Sequence, residues 1–407
     1  MKLRTLRVLA FAYVCLGLAS AAAAQAGGES EDPFDMARFR LGPIRFTPVI
    51  ELTSLGRDSN VFNEADDPKG DTTAALGPGV QLWMHPGSTR FSGKFSGQYL
   101  YFKQYSTQRA WNTSNEGKWE FPLAHIAPFV GGRYINTRER QGYEIDSRSR
   151  RRDAGATVGS SVRFSGKTSV VASYQRQDVK YDESETFLGA ELAQELNRTE
   201  QRTDLELRYA ATPLTTFVVR SEIGKDRFQT VSLRDSDSVR VMPGFELKPL
   251  ALISGEIFVG YRHMSALDAR VPDFTGVVAA VKAKYTRDAT RFEVKVDRDL
   301  AYSYAVTRPY YALLDAGLTV TQRVGLSWEI VGRGSRQTLA YRLAAADVGQ
   351  HTTDRGHIFG GGVGYRVGEG LRLGLDANYA TRRSEIEGRR DFEGLRVFGS
   401  IAYGIQQ

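Results

Sequence analysis

The sequence predicts an all-β fold: a transmembrane antiparallel up-and-down β-barrel of about 18 strands, with 16–18 the favoured range. Three observations predict it. The chain opens with an export leader. Its body alternates apolar and polar residues in stretches of about ten, with charge gathered on one parity. Its connections alternate between short turns and long polar loops.

The leader comes first. Lys2, Arg4 and Arg7 form a basic start, Val8 to Leu18 an apolar run, and Ala22-Ala23-Ala24 a small-residue cleavage site before Gln25. The apolar run is too short to span a bilayer as a helix. The single cysteine, Cys15, falls inside this segment, so the exported chain carries no disulfide and no cysteine-built metal site. The expected organisation is a signal peptide over 1–24, a flexible lead-in over 25–43 and one barrel over 44–407. Such a leader places the barrel in the outer membrane of a Gram-negative cell, with both barrel termini in the periplasm.

Composition narrows the class. Formal charge is +7 for the full chain. Removing the three cations of the leader leaves +4, a mild excess and not a nucleic-acid footprint. No later run of apolar residues is long enough for a transmembrane helix, which leaves crossing by strands open. Glycine, at 41 of 407 residues, exceeds the usual share of about 7% and argues against a mostly helical chain.

Strand patterns run from the lead-in to the end. Phe91, Phe95, Tyr99 and Tyr101 oppose Ser92, Lys94, Ser96 and Gln98. Leu205, Leu207 and Tyr209 oppose Asp204, Glu206 and Arg208. Val239, Val241 and Phe245 oppose Arg240 and Glu246. Ile257, Val259 and Tyr261 oppose Glu256 and Arg262, and Phe292, Val294 and Val296 oppose Glu293, Lys295 and Asp297. Leu371, Leu373 and Leu375 oppose Arg372 and Asp376. Period two puts the two sets on opposite faces. Ala127–Thr137 and Thr168–Lys180 are mixed on both faces. Short connections are expected at Pro86-Gly87-Ser88, Ser165-Gly166-Lys167, Arg287-Asp288, Arg323-Val324-Gly325 and Gly368-Glu369-Gly370. Long ones are expected at 104–109, 138–152, 182–199, 229–236, 265–273, 342–353 and 382–391. A soluble β-sandwich is the alternative; it would need one apolar core under two sheets and would rarely repeat so many long hairpins.

A charge at mid-bilayer on the lipid face costs about 2–4 kcal/mol, so the apolar parity is assigned to lipid and the charged parity to the lumen. The expected lumen-lining residues are Arg208, Arg220, Arg240, Arg262, Lys282, Lys295 and Arg372, with Glu206, Glu222, Glu256, Glu293 and Asp376. Opposite charges on neighbouring strands stiffen the wall or set a field across a pore; both readings stay open. Strand-end aromatics, Trp83, Trp119, Tyr99 and Tyr261 among them, are girdle candidates.

Arg148, Arg150, Arg151 and Arg152 form a basic cluster, read either as a loop contact for a polyanion such as lipopolysaccharide phosphate or as a solvated loop tip. Arg382/Arg383 and Arg389/Arg390 allow the same two readings. His351, Asp354 and His357 have an H-x-x-D-x-x-H spacing, but Gly356 and Gly360-Gly361-Gly362 favour loop and strand over the helix that would group them. Neither a metal nor a cofactor is expected, and no hydrolase elbow, zinc-protease helix or phosphate loop occurs. The chain is not read as an enzyme.

Leu55-Gly56-Arg57-Asp58-Ser59-Asn60-Val61-Phe62 resembles the signature after the first strand in the β-barrel porin 2 family, matched by Asp58, Asn60, Val61 and Phe62. The resemblance implies an outer-membrane barrel, often linked to exopolysaccharide export or outer-membrane transport. Physically, Asp58 and Asn60 can set a turn through backbone hydrogen bonds, with Phe62 folded against the rim. The expected function is therefore a porin-like passive conduit for polar solutes, with lipid and lipopolysaccharide as surroundings and polysaccharide-export components as partners implied by the resemblance. The alternative is an occluded structural or surface-interaction barrel that uses its long loops.

Overall fold

The computed structural model describes residues 34, 37–140, 143–249, 251–344, 352–368, 370–385 and 390–404. The expected leader, 1–24, lies outside them. Eighteen long strands run in chain order: β1 Ile44–Asp58, β2 Asp71–Met84, β3 Arg90–Phe102, β4 Ala110–Glu120, β5 Ile126–Thr137, β6 Arg151–Arg163, β7 Thr168–Tyr181, β8 Arg198–Thr212 and β9 Thr215–Phe228. They continue as β10 Ser236–Leu247, β11 Ile253–Ala266, β12 Phe274–Arg287, β13 Thr290–Tyr302, β14 Tyr310–Val324, β15 Trp328–Arg342, β16 Thr353–Val367, β17 Leu371–Ser384 and β18 Phe392–Tyr403.

Each strand pairs antiparallel with the next. β1 then pairs with β18, Ile50 opposite Tyr403 and Asp58 opposite Arg396, which closes the sheet. Closure satisfies the strand edges, the condition for a sheet to sit in hydrocarbon. A bulge between Leu52 and Leu55, with Ser54 at a φ of 54°, marks this seam. The expected lead-in is not all loose: Phe39–Leu41 folds back across Gly42 and pairs with the start of β1. The two mixed segments are the strands β5 and β7.

Connections sort by end. One end carries tight turns, such as Asp288-Ala289 with Asp288 at a φ of 52°, and 325–327 with Gly325 at 64°. The other end carries the loops. Two long ones, 59–70 and 303–309, join those expected from the sequence. Phe95, Trp111, Leu207, Val259, Ile330 and Leu375 are exposed on the outer face, as a lipid-facing surface requires. Trp83 is a correction to the girdle: it pairs with Ser92 and Arg45, on the inward parity.

Candidate functional site

Register keeps the charged residues on one face across β8–β13 and again across β16–β17. Glu206 lies opposite Arg220, Glu222 opposite Arg240, and Arg240 opposite Arg262. Glu256 lies opposite Lys282, Lys282 opposite Lys295, and Lys284 opposite Glu293. Arg366 faces Arg372, and Asp376 faces Gly362. The twelve residues assigned from sequence to the lumen thus share one face, and Arg208, Glu256, Lys282, Glu293 and Lys295 line a cavity of about 1600 Å³ inside the ring.

Most of the arginines are locked by acids. Arg208 and Arg220 both engage Glu246 and Glu206, and Arg220 also reaches Glu256 at 3.4 Å while stacking over Phe258 at 3.7 Å. Arg240 binds Glu222 and, at 2.8 Å, Asp299; Arg262 binds the same Asp299 at 2.9 Å. Glu329, buried, takes both Arg366 at 3.0 Å and Arg372. Arg333 pairs with Asp376. Room for the last group comes from β16. A Cβ at Gly360 or Gly362 would run into the side chains of Asn378 and Asp376, so this glycine run clears the wall for ion pairs lying flat against it.

The interior is not uniformly polar. The loop between β5 and β6 folds into the barrel. Its Tyr143 hydroxyl donates to Asp315 Oδ2 at 2.6 Å. Asp315 belongs to β14, nine strands further round a ring of eighteen, so the loop reaches the opposite wall. Glu144, 2% exposed, accepts from Ser303 Oγ at 2.6 Å and from the Tyr304 amide at 3.2 Å. Arg382 donates to the Tyr143 carbonyl at 2.7 Å and Arg390 to the Glu144 carbonyl at 2.6 Å. Ile145 packs with Val179, Tyr181, Phe187, Leu192, Leu196, Phe228 and Tyr304, several of them from the β7–β8 loop and its short helix α1, Leu192–Leu196. This apolar cluster fills part of the loop end. Burial raises the pKa of Glu144, against the pull of Ser303 and Arg390.

A second cavity, about 720 Å³, lies along β1–β5 between Thr47 and Glu139. Its lining is mostly uncharged, with Gly77, Gln81, Ser96, Gln98, Asn112 and Ser114.

The motif residues form an anchor. The Asn60 amide donates to Asp58 Oδ1 at 3.0 Å. The Asn60 side chain exchanges bonds with Glu64, 2.8 and 2.9 Å, and donates to the Glu393 carbonyl at 3.1 Å, stitching the β1–β2 loop to β18. Asp58 pairs with Arg396 at 3.1 Å. Val61 is fully buried, and its carbonyl accepts from Arg140 at 2.8 Å and Arg148 at 2.9 Å. Phe62 meets Tyr105 edge-on at 4.8 Å. The motif therefore holds the root of the inward loop.

Several sequence readings change here. Arg148 is turned inward onto Val61 and the Phe102 ring. Arg150 donates to Asn136, and Arg151 pairs with Asp153 at 2.6 Å. Only Arg152 is exposed, beside Asp182 at 3.0 Å. These side chains are spent on the protein's own acceptors, so the cluster is not a display of free cations. Arg382 and Arg390 are buried on Asp354 rather than solvated; Arg383 is exposed, and Arg389 lies outside the described residues. Asp354 is thereby occupied, and His357 sits on the opposite parity of β16, so the two cannot share an ion; His351 lies outside the described residues.

A closed β-barrel with an apolar outer face, a charged inner face and an inward loop is the form of a porin-like outer-membrane protein. The chain belongs to the family described as Putative beta-barrel porin 2, whose model matches residues 32–402. No curated protein matches it. Among solved structures it is similar to a BenF-like porin from Pseudomonas fluorescens Pf-5, 11% identical, covering 90% of this chain and 100% of that one at a TM-score of 0.49. It is also similar to OccK5 (OpdH) of Pseudomonas aeruginosa, 13% identical over 90% and 99% at 0.44. The siderophore receptor PirA of the same organism is 8% identical over 91% and 81% at 0.44.

Proposed function

We propose that this barrel is a passive conduit for small polar solutes, a channel rather than an enzyme. The observation that carries the reading is the cavity of about 1600 Å³ enclosed by a charged wall. A barrel of 16–18 strands is wide enough for an aqueous channel, and locked ion pairs keep such a wall open without collapse. The turn end and both barrel termini are assigned to the periplasm, the loop end to the outside. Outer-membrane lipid meets the apolar face, and lipopolysaccharide meets it at the loop end. A tie to polysaccharide-export components rests on the family alone, and the loop lying across the lumen favours small solutes over a polymer.

One observation favours a second reading. The apolar packing round Ile145 and Tyr304 would suit a plug. Planar-bilayer recording of the purified, folded chain separates the two. Stepwise conductance supports the conduit. Silence from the full chain, with steps after deletion of 141–146, supports the plugged barrel.

A further inference from the structure

We infer that the larger cavity selects small organic anions, through a cluster of lysines on β12 and β13. The inference rests on the conduit reading and adds the class of solute to it. Lys282 and Lys284 stand on the same face of β12, roughly 7 Å apart by strand geometry. Lys295 lies directly across from Lys282 on β13. Like charges opposite one another are unfavourable by themselves, and an anion between them relieves that cost.

What the acids do decides the sign of the surface. Glu246 is shared by Arg208 and Arg220, and Glu256 is drawn to Arg220. Glu293 is held at 3.0 Å by Arg291, and Asp315 is buried under the Tyr143 hydroxyl. The nearest carboxylates stand 3.9 Å from Lys282 and 3.8 Å from Lys284. Lys295 does bind Asp315, at 2.7 Å. Asp297 shares this face and is exposed, two positions from Lys295 and opposite Asp315 across the ladder, but it does not line the cavity. The side chains of Lys282, Lys284 and Lys295 are 71, 53 and 51% exposed, against 33% for Glu256, 34% for Glu293 and 8% for Asp315. Those three carboxylates lie back against the wall, and the three ammonium groups project into the cavity. There, charge-assisted hydrogen bonds to a carboxylate become available, and low-dielectric walls focus the field on entering solute.

The test is the reversal potential of the full-length, folded chain in a planar bilayer under a potassium chloride gradient. Chloride is expected to permeate severalfold better than potassium, and added succinate to reduce the chloride current. The triple change K282Q/K284Q/K295Q is expected to bring the ratio to one or below and to abolish the succinate effect, while R270Q at the loop rim leaves both unchanged. Heat-modifiable migration reports folding, and if the triple variant does not fold, Lys282→Gln alone must lower the ratio. A conducting channel with a ratio at or below one, or one that the lysine variants do not move, overturns the anion inference and leaves the conduit standing. A folded chain without conductance removes both.

Discussion

The wall made by β1–β5 and the wall made by β8–β15 are alike outside and different inside. Outside, both present large apolar side chains, Phe95 and Trp111 on one and Leu207, Val259 and Ile330 on the other. Inside, the first is lined mostly by glycine, serine and amides with a few charges such as Lys94, Glu116 and Arg133, and the second by a lattice of arginines and carboxylates. Lipid imposes one solvent on the whole circumference, so the outer parity has little freedom. Away from lipid a neutral amide and a paired charge are both tolerated, so the inner parity is free to differ. The inward loop is anchored beside the first wall by Val61 and seated against β14, and so joins the two.

The largest effect should show that the walls are equivalent in lipid. Phe95→Arg on β3 and Leu207→Arg on β8 are each expected to cost about 2–4 kcal/mol, read by urea unfolding from liposomes. A cost on one wall only would break the outer half of the comparison. Next is the anchor. Asn60→Ala removes bonds from a buried side chain to Glu64 and Glu393, and about 1–3 kcal/mol is expected from stranded buried partners. The accompanying sign is noisier single-channel current as the loop root loosens. Unchanged stability and quiet current would detach the motif from the loop.

A smaller contrast lies within the lumen. Glu246→Ala leaves Arg208 and Arg220 short of a partner and is expected to cost about 1 kcal/mol, whereas Gln98→Ala on the first wall stays within about 0.5 kcal/mol. Equal costs would mean the lattice does not stiffen its wall. The smallest effect concerns pH. Burial raises the Glu144 pKa above its ordinary 4.5, with Arg390 and Arg382 opposing and Tyr311, Tyr341 and Asp354 close by. A carboxyl whose folded pKa is raised binds its proton more tightly when the loop is seated. Its contribution is present in acid and is lost as pH rises through the raised value. The loop is expected to sit more tightly, and to lower the current more, in acid than at neutral pH. Glu144→Gln, always neutral, should flatten that dependence; a variant that keeps the wild-type slope would place the titration elsewhere.

Much of the barrel was legible because its causes are local. Alternation at period two, the turn residues and the parity of charge each act within a few positions, and together they bring Arg208, Glu256 and Lys282 to one face without any tertiary information. The Asp58–Phe62 stretch was legible as a turn device for the same reason. Loop 303–309 escaped because Tyr304, Ala305 and Val306 continue the strand pattern beside them, and of 59–70 only the opening turn was legible.

Local pattern therefore dictates the wall: strands, about 18 of them, and which parity meets lipid. What crosses the lumen depends instead on contacts between distant positions. Glu144 and Ser303 lie 159 positions apart, Arg390 and Glu144 246, and Asn60 and Glu393 333. No local pattern records such pairings, because a polar loop looks the same in sequence whether water or the far side of its own barrel satisfies it. The four arginines of 148–152 make the point. By charge alone they read as a surface patch, and only the carbonyl of Val61 and the Phe102 ring, Asn136 and Asp153 engage three of them, Arg148, Arg150 and Arg151.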